Sequence, residues 1–312
     1  MFRNKEYILT VLKEGSFSKA AQTLYISQPS LSASVKRIED KIASPIFNRS
    51  NPVTLTEIGK EYVRYALEIE QKERDFEKYV SDHTGLVTGT VKIGGSSLFS
   101  SFMLPAMISE FCRTHPGISF EIIEDNTKNL IDKLNIGMLD IIVDNAEIND
   151  ESITATYCTS EIMLLAVPQK FEVNLRLSEY SLSADDIKKK KHLELDFCTD
   201  IKAFGNVPFI LLNPENDTGK RAQKIFKKHS IVPKVAFYLD QQVTAYNIAC
   251  QGLGVTFVSD TLIENIVSSD EMNYYVISDK ETKRKICFYN KNNRYLSVAC
   301  QKFLEENKVL KL

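Results

Sequence analysis

Apolar residues recur at helical spacing through the first eighty positions, then from position 90 onward in short strand-like runs alternating with helical ones. Tyr7, Ile8, Val11 and Leu12 form the stripe of a first helix over residues 4–14, stopped by Gly15. Ser16 is placed to cap a short second helix, whose Ala20, Ala21 and Leu24 permit close backbone approach. After a turn at Tyr25-Ile26-Ser27, Ser27 as N-cap and Pro29 in the first turn predict a third helix over residues 28–42. Leu31, Val35, Ile38 and Ile42 make its inward face, and at about 100° per residue the opposite face centres on Pro29, Ala33, Lys36, Arg37 and Asp40, flanked by Ser30 and Ser32. Phe47-Asn48-Arg49 and Val53-Thr54-Leu55, around Ser50-Asn51-Pro52, predict a hairpin.

A long helix follows, begun by Thr56 and closed by Gly85. Ile58, Tyr62, Tyr65, Ile69, Lys72, Phe76 and Tyr79 alternate steps of four and three, which is the spacing of a dimer seam. The competing arrangement is a single helix packed on its own chain; mostly charged remaining faces favour the dimer.

Beyond Thr90 the strands and helices alternate. Strand 90–93 leads through Gly94-Gly95-Ser96-Ser97 into a helix carrying Leu104, Met107, Ile108 and Phe111. Strand 119–123, a helix with Leu130, Ile131 and Leu134, strand 140–143 and strand 162–167 complete a first series. A second runs from strand 209–212 through helix 219–229, strand 234–239, helix 243–250 and strand 255–257, and strands 274–277 and 286–289 precede a final helix ending near Asn307. Such alternation means βαβ units around mainly parallel sheets.

With 312 residues, 43% of them hydrophobic, the chain can bury several cores. No bilayer-length stretch lacks charge and the first fifteen residues lack a signal-peptide core, so a cytoplasmic protein without a membrane partner is expected. Cys112, Cys158, Cys198, Cys250, Cys287 and Cys300 are scattered singly, without metal-ligand spacing, and read as reduced thiols. Cys198 has no nearby partner to resolve a sulfenic acid, so a redox switch is not expected. The net charge of −2 hides a division: residues 1–60 hold nine Lys or Arg against five Asp or Glu, while the remainder is acidic. The N-terminal piece is the one suited to a polyanion.

Small, hydroxylic and basic residues on one helix face can enter the major groove, touch base edges and hold phosphates. An ordinary solvated amphipathic helix is the bland alternative; the helix-turn-helix spacing and the basic-edged hairpin favour a winged helix-turn-helix. The expected DNA-binding residues are Ser16, Ser27, Gln28, Pro29, Ser30, Ser32, Ala33, Lys36, Arg37, Arg49 and Asn51, with Lys36, Arg37 and Arg49 on phosphates.

The stretches GSFSKAAQTLYISQPSLSASVKRIEDKI and PIFNRSNPVTLTEIGKEY resemble the DNA-binding domain of LysR-type transcriptional regulators almost position by position. Two departures stand out: Ala43 replaces a Gly usual at the end of the recognition helix, and Ala33 replaces a commonly basic residue. The first touches only a C-cap, provided the backbone there avoids positive φ. The resemblance implies an α/β multidomain protein: a winged helix-turn-helix over 1–58, a linker and dimerisation helix over 59–88, and an effector-binding domain over 89–312. That domain would consist of two Rossmann-like subdomains of periplasmic-binding-protein type, one over 89–167 and 271–312, the other over 168–270, with crossings near 167–169 and 262–270. It also implies double-stranded DNA with two-fold related half-sites, a homodimer or homotetramer seamed through Ile58, Tyr62, Tyr65, Ile69 and Phe76, a small-molecule effector, and RNA polymerase as a partner.

An effector should lie where strand C-termini meet helix N-termini, whose free N–H groups favour an anion. Ser96, Ser97, Asn126, Thr127, Asn145, Asn213 and Gln242 sit at such junctions, though each residue type is also an ordinary cap; the resemblance favours Ser96, Ser97 and Thr127. Asp217-Thr218-Gly219-Lys220 lacks the preceding glycine of a phosphate loop and reads as a helix start, Gly252 and Gly254 as a turn, and the lysine run 188–191 as solvated surface. An enzyme is disfavoured: none of His83, His115, His192 and His229 stands beside an evident nucleophile, and neither a metal nor a cofactor is expected. An architectural DNA binder indifferent to small molecules is the third possibility.

Overall fold

The computed structural model describes residues 1–48, 50, 52–83, 89–194, 198–266, 269 and 271–308. Its backbone separates into two units, Met1–Val80 and Ser81–Leu312.

In the first unit α1 (Lys5–Glu14), α2 (Phe17–Thr23) and α3 (Gln28–Ile42) are followed by a hairpin of β1 (Phe47–Asn48) and β2 (Thr54–Leu55) and by α4 (Glu57–His83). Ser16 and Ser27 cap α2 and α3, accepting from Lys19 N–H and Ser30 N–H. Ile8, Val11, Ala20, Ala21, Leu31, Val35, Ile38, Ile46 and Phe47 close one core, which α4 joins through Tyr62, Val63 and Ala66. Tyr62 thereby leaves the expected dimer seam: its ring stacks on Phe2 at 4.8 Å and its hydroxyl donates to the Met1 carbonyl. It sits about 40° from the stripe's centre, and its own core claims it. Ile58, Tyr65 and Phe76 remain exposed, Phe76 by 66%, and Ile69 is half-buried.

Ala43 ends α3 at φ 51°, in the left-handed region. The backbone therefore does not avoid positive φ: Ala43 N–H donates to Asp40 and Ser44 N–H to Glu39, and this double cap demands the conformation for which Gly is usual. A β-carbon there costs roughly 1–2 kcal/mol, so Ala43→Gly should raise stability by about 1 kcal/mol, read as a higher midpoint in urea unfolding.

The second unit begins with β3 (Gly89–Gly95), then α5 (Leu104–Thr114), β4 (Ile118–Glu124), α6 (Thr127–Asn135), β5 (Ile141–Asp144) and the sixteen-residue β6 (Ile153–Pro168). Short helices α7 (Val173–Arg176) and α8 (Ala184–Lys188) and strand β7 (Cys198–Thr199) lead into β8 (Pro208–Leu212), α9 (Asp217–Lys228), β9 (Lys234–Leu239), α10 (Gln242–Cys250) and β10 (Val255–Ser259). The end is α11 (Asp260–Asn265), β11 (Met272–Ile277), β12 (Lys283–Lys291) and α12 (Val298–Glu306). Strands run in the order β4-β3-β5-β12-β6-β10-β8-β9, with β11 between β6 and β7 off that path. Each half has a parallel trio, β4-β3-β5 and β10-β8-β9, as expected from two βαβ series.

The crossings differ from those set by the sequence pattern. Residues 153–162 of β6 pair with β12 and residues 163–168 with β10 and β11, so the passage lies between Ile162 and Met163. The return lies between β11 and β12, and residues 272–277 pair in the second half rather than the first. The first passage falls inside one continuous strand, and the return crosses a bend and the 3-10 turn Lys280–Thr282; the loop signal around 262–270 precedes β11 and is not a crossing. One apolar core continues along one side of both halves, taking in α5, α10, α11 and α12. On the other side two cores stay apart, one under α6 and one under α9.

Candidate functional site

Two places gather the candidate residues, one in each unit. On the first, Gln28, Pro29, Ser30, Ala33, Lys36 and Arg37 are exposed along α3, while Ser32 is half-buried. Gln28 and Ser32 turn toward the hairpin, lining a hollow of about 240 Å³ with Val35, Glu39, Phe47 and Ser50. The outward face keeps Pro29, Ser30, Ala33, Lys36, Arg37 and Asp40 of the helical wheel, and Ser32 turns away from it. Arg37 is oriented along its own helix, Nε donating to the Ala33 carbonyl at 3.3 Å and Nη2 to Ser34 Oγ at 3.2 Å. Ser16 and Ser27 are occupied as caps, and Ser27 Oγ also lies 2.8 Å from Ser30 Oγ. Arg49 and Asn51 lie outside the described residues.

The second place is a cleft between the two halves of the Ser81–Leu312 unit. Ser96 after β3, Thr127 opening α6, Asp144 and Asn145 ending β5, Asp217 and Thr218 opening α9, Gln242 opening α10, and Arg284 on β12 surround a cavity of about 50 Å³. Thus Ser96, Thr127, Asn145 and Gln242 line it together, whereas Ser97, Asn126 and Asn213 do not. Asn126 is spent as the cap of α6, accepting from Asn129 N–H, and Asn213 donates to Asp240 at 2.6 Å. Ser97 lies one residue into the helical turn, past the junction.

Several lining groups are braces. Asn145 Nδ2 donates to Glu161 Oε1 at 2.5 Å; Gln242 Oε1 accepts from both the N–H and the hydroxyl of Ser259, and its Nε2 donates to Thr218. Thr127 donates to Asp144 Oδ2 at 2.8 Å. The group the sequence pattern does not single out is Arg284, whose side chain is 1% exposed. Its Nη1 donates to Asp217 at 3.1 Å and Thr218 at 2.9 Å, and its Nε stands 2.7 Å from Glu161 Oε1 without hydrogen-bond alignment. Nη2 has no hydrogen-bond partner among the described residues. Burial opposes its charge, but Glu161 and Asp217 prevail and keep the guanidinium ionised.

Burial pushes the Asp144 carboxyl up to about 6 despite hydrogen bonds from Ala146 N–H and Thr127, and the charge of Asp217 acts in the same direction as burial. A folded value above the unfolded one means the folded chain holds this proton more tightly. The stabilisation is full below the ordinary carboxylate range and is lost as pH rises through about 6. It amounts to about 3 kcal/mol. Asp144→Asn should remove that dependence: in urea unfolding, its stability relative to the native chain should improve by about that amount between about pH 4 and pH 7.

All six cysteines are free, and burial pushes the Cys158 thiol up to about 12, far from a reactive thiolate. Among the described residues one trio of metal-type ligands converges, His192, Asp260 and Glu264, but Glu264 is already paired with Lys190 and His192 with Asp260. No helix of the described residues is long and apolar enough to cross a membrane.

With both geometries in view, similarity to known proteins becomes specific. The family model "Bacterial regulatory helix-turn-helix protein, lysR family" matches residues 2–60, and "LysR substrate binding domain" matches residues 84–308. A Bacillus subtilis (strain 168) protein, the uncharacterized HTH-type transcriptional regulator YcgK, is 26% identical over 306 residues, 96% of this chain and 91% of that one. Full-length CbnR, solved in complex with its target DNA, superposes with a TM-score of 0.67 at 15% identity, covering 99% of this chain and 98% of that one. The effector-binding domain of QuiR in complex with shikimate superposes with a TM-score of 0.57 at 16% identity, over 71% of this chain and 96% of that one. Those two likenesses carry the fold, and the family models carry the kinship: the chain belongs to the LysR family of bacterial transcriptional regulators, a DNA-binding protein with an effector-binding domain and no enzymatic role.

Proposed function

We propose that this regulator reads two-fold related half-sites on double-stranded DNA through α3, and that a small anionic metabolite in the cleft controls its operator binding or transcriptional output. The observation that carries the effector half is the meeting of three helix N-termini, those of α6, α9 and α10, around Ser96 and Arg284. Helix N-termini offer unpaired N–H groups and a partial positive charge, and the buried guanidinium adds a full one. Shikimate, the ligand named for QuiR, is a carboxylate and fits the same chemistry. Bound between halves that share a core on one side only, such an anion would draw them together and shift the subunit arrangement. The stripe of exposed Ile58, Tyr65 and Phe76 with half-buried Ile69 supports a dimer through α4, and a homodimer or homotetramer presenting two winged helices in the cytoplasm to DNA and RNA polymerase is the assembly we favour. We divide the chain as 1–58, 59–88 and 89–312 for these three roles.

Thermal shift of the full chain against a library of small carboxylates, followed by footprinting, tests the effector half. A stabilising compound should also change the footprint; turnover of any compound would sink the proposal. For the DNA half, Ala33 offers a methyl that fits a thymine C5-methyl but cannot bond guanine. Ala33→Arg should change the preferred base under that position in binding-site selection, and an unchanged logo counts against this docking. Lys36→Ala should instead weaken all sites alike and lower the salt slope by about one ion.

A further inference from the structure

We infer that the effector is a phosphorylated metabolite, because the cleft widens beyond Arg284 into a basin built for more than one negative charge. This rests on the reading of the cleft as the effector site and adds the ligand's class. The basin has a volume of about 750 Å³ and shares Asn145, Asp217 and Arg284 with the inner cavity. It lies on the side where the two apolar cores stay apart, between Cys287 and Tyr289 of one half and the Arg221 and Lys224 edge of α9 in the other. Seven Lys or Arg line it against three carboxylates, a surplus of four positive charges.

Four of the seven cations are not consumed internally. Arg221 and Lys224 are held by Asp217 and Glu281, but Lys220, Lys280, Lys283 and Lys285 have no ion-pair partner among the described residues and are exposed to the basin. Lys283 and Lys285 project from β12 on either side of Arg284, whose own buried side chain turns the other way, to Glu161 and Asp217. Alternate strand residues point to one face, so these two lysines stand side by side, about 7 Å apart along the strand, and their flexible ammonium groups can close on one phosphate or reach two adjacent ones. A monocarboxylate held at the inner N-termini would leave this charge unneutralised. A sugar phosphate or bisphosphate fills the volume and balances the surplus, with its sugar hydroxyls facing Ser160 and Asn149.

The test is calorimetric titration of the full-length chain with fructose 1,6-bisphosphate and with pyrophosphate, with benzoate as a monoanionic control, at two salt concentrations. The phosphorylated probes should bind more tightly than benzoate and weaken steeply with salt. Lys283→Gln/Lys285→Gln should weaken them at least tenfold while melting like the native chain, since both lysines are exposed. Failure of both phosphorylated probes to bind, or binding indifferent to the double substitution, overturns the inference. The underlying reading fails separately. Phosphate binding that leaves the operator footprint unchanged keeps the basin and removes its regulatory role; a monocarboxylate that alters the footprint while no phosphorylated probe binds keeps the effector site and removes the basin's ligand.

Discussion

Arg284→Met should lower the stability of the full chain by about 3–5 kcal/mol, because it removes the only full positive charge that the described residues place against the buried Glu161 carboxylate while leaving that carboxylate in place. Glu161 is wholly enclosed; among the described residues its Oε2 has no hydrogen-bond partner and Asn145 is its single hydrogen-bonding donor. The same substitution unties Asp217 and Thr218 at the start of α9. Methionine keeps the apolar stem at a somewhat smaller volume, so most of the loss measures charge. Adding Glu161→Gln should recover most of it, since a neutral amide oxygen still accepts from Asn145 and no buried charge remains unpaired. Calorimetric melting of native, single and double variants decides the matter. A double variant as unstable as Arg284→Met alone would mean that guanidinium packing, not charge compensation, carries the effect.

Arg284 also marks the limit of what could be read in advance. Lys283-Arg284-Lys285 reads in one dimension as a solvated charge run, and only the pairing of β12 with β6 turns its middle residue inward toward Glu161. The long elements were legible, because α1 to α4 and the parallel trios have clean periods and capped ends. The first half of β6 was not: residues 153–161 alternate irregularly between buried and exposed, and the strand changes partners midway. Helices α7, α8 and α11 are held by tertiary packing and leave almost no period. At the cleft, a serine or asparagine at a strand–helix junction could be named but not sorted, since capping and ligand lining use the same side chains. Asn126 and Asn213 proved to serve neighbours, and Thr127 proved to face the cavity.

The first unit holds its own mechanical constraint, and it yields the second large effect. Glu39 on α3 accepts from Ile46 N–H at 2.7 Å, and the Ile46 carbonyl accepts from Thr56 N–H at 2.9 Å, so α3 is tied through one residue to the entry of α4. Thr56 Oγ1 in turn accepts from Gly59 N–H at 2.9 Å, capping α4. Gly59 lies directly on this junction: a β-carbon there would overlap the Ile46 carbonyl oxygen and press on Leu55. The Ile46 obstacle is backbone, so no rotamer change relieves it, although the Leu55 side chain can give way.

Gly59→Ala should therefore push α4 away from the hairpin, costing about 1–3 kcal/mol of stability, as overpacking does. The displacement reaches the recognition helix, because Ile46 can move only by stretching its bond to Glu39. Operator affinity should fall at least tenfold in fluorescence anisotropy, with amide exchange accelerated at Ile46 and in the last turn of α3. Ala66→Gly, buried in the same core but further along α4, costs stability through helix propensity and a lost buried methyl and should leave operator affinity nearly unchanged. If the two variants lose stability and DNA binding in parallel, the Ile46 junction transmits nothing, and the first unit responds only to how well it is folded.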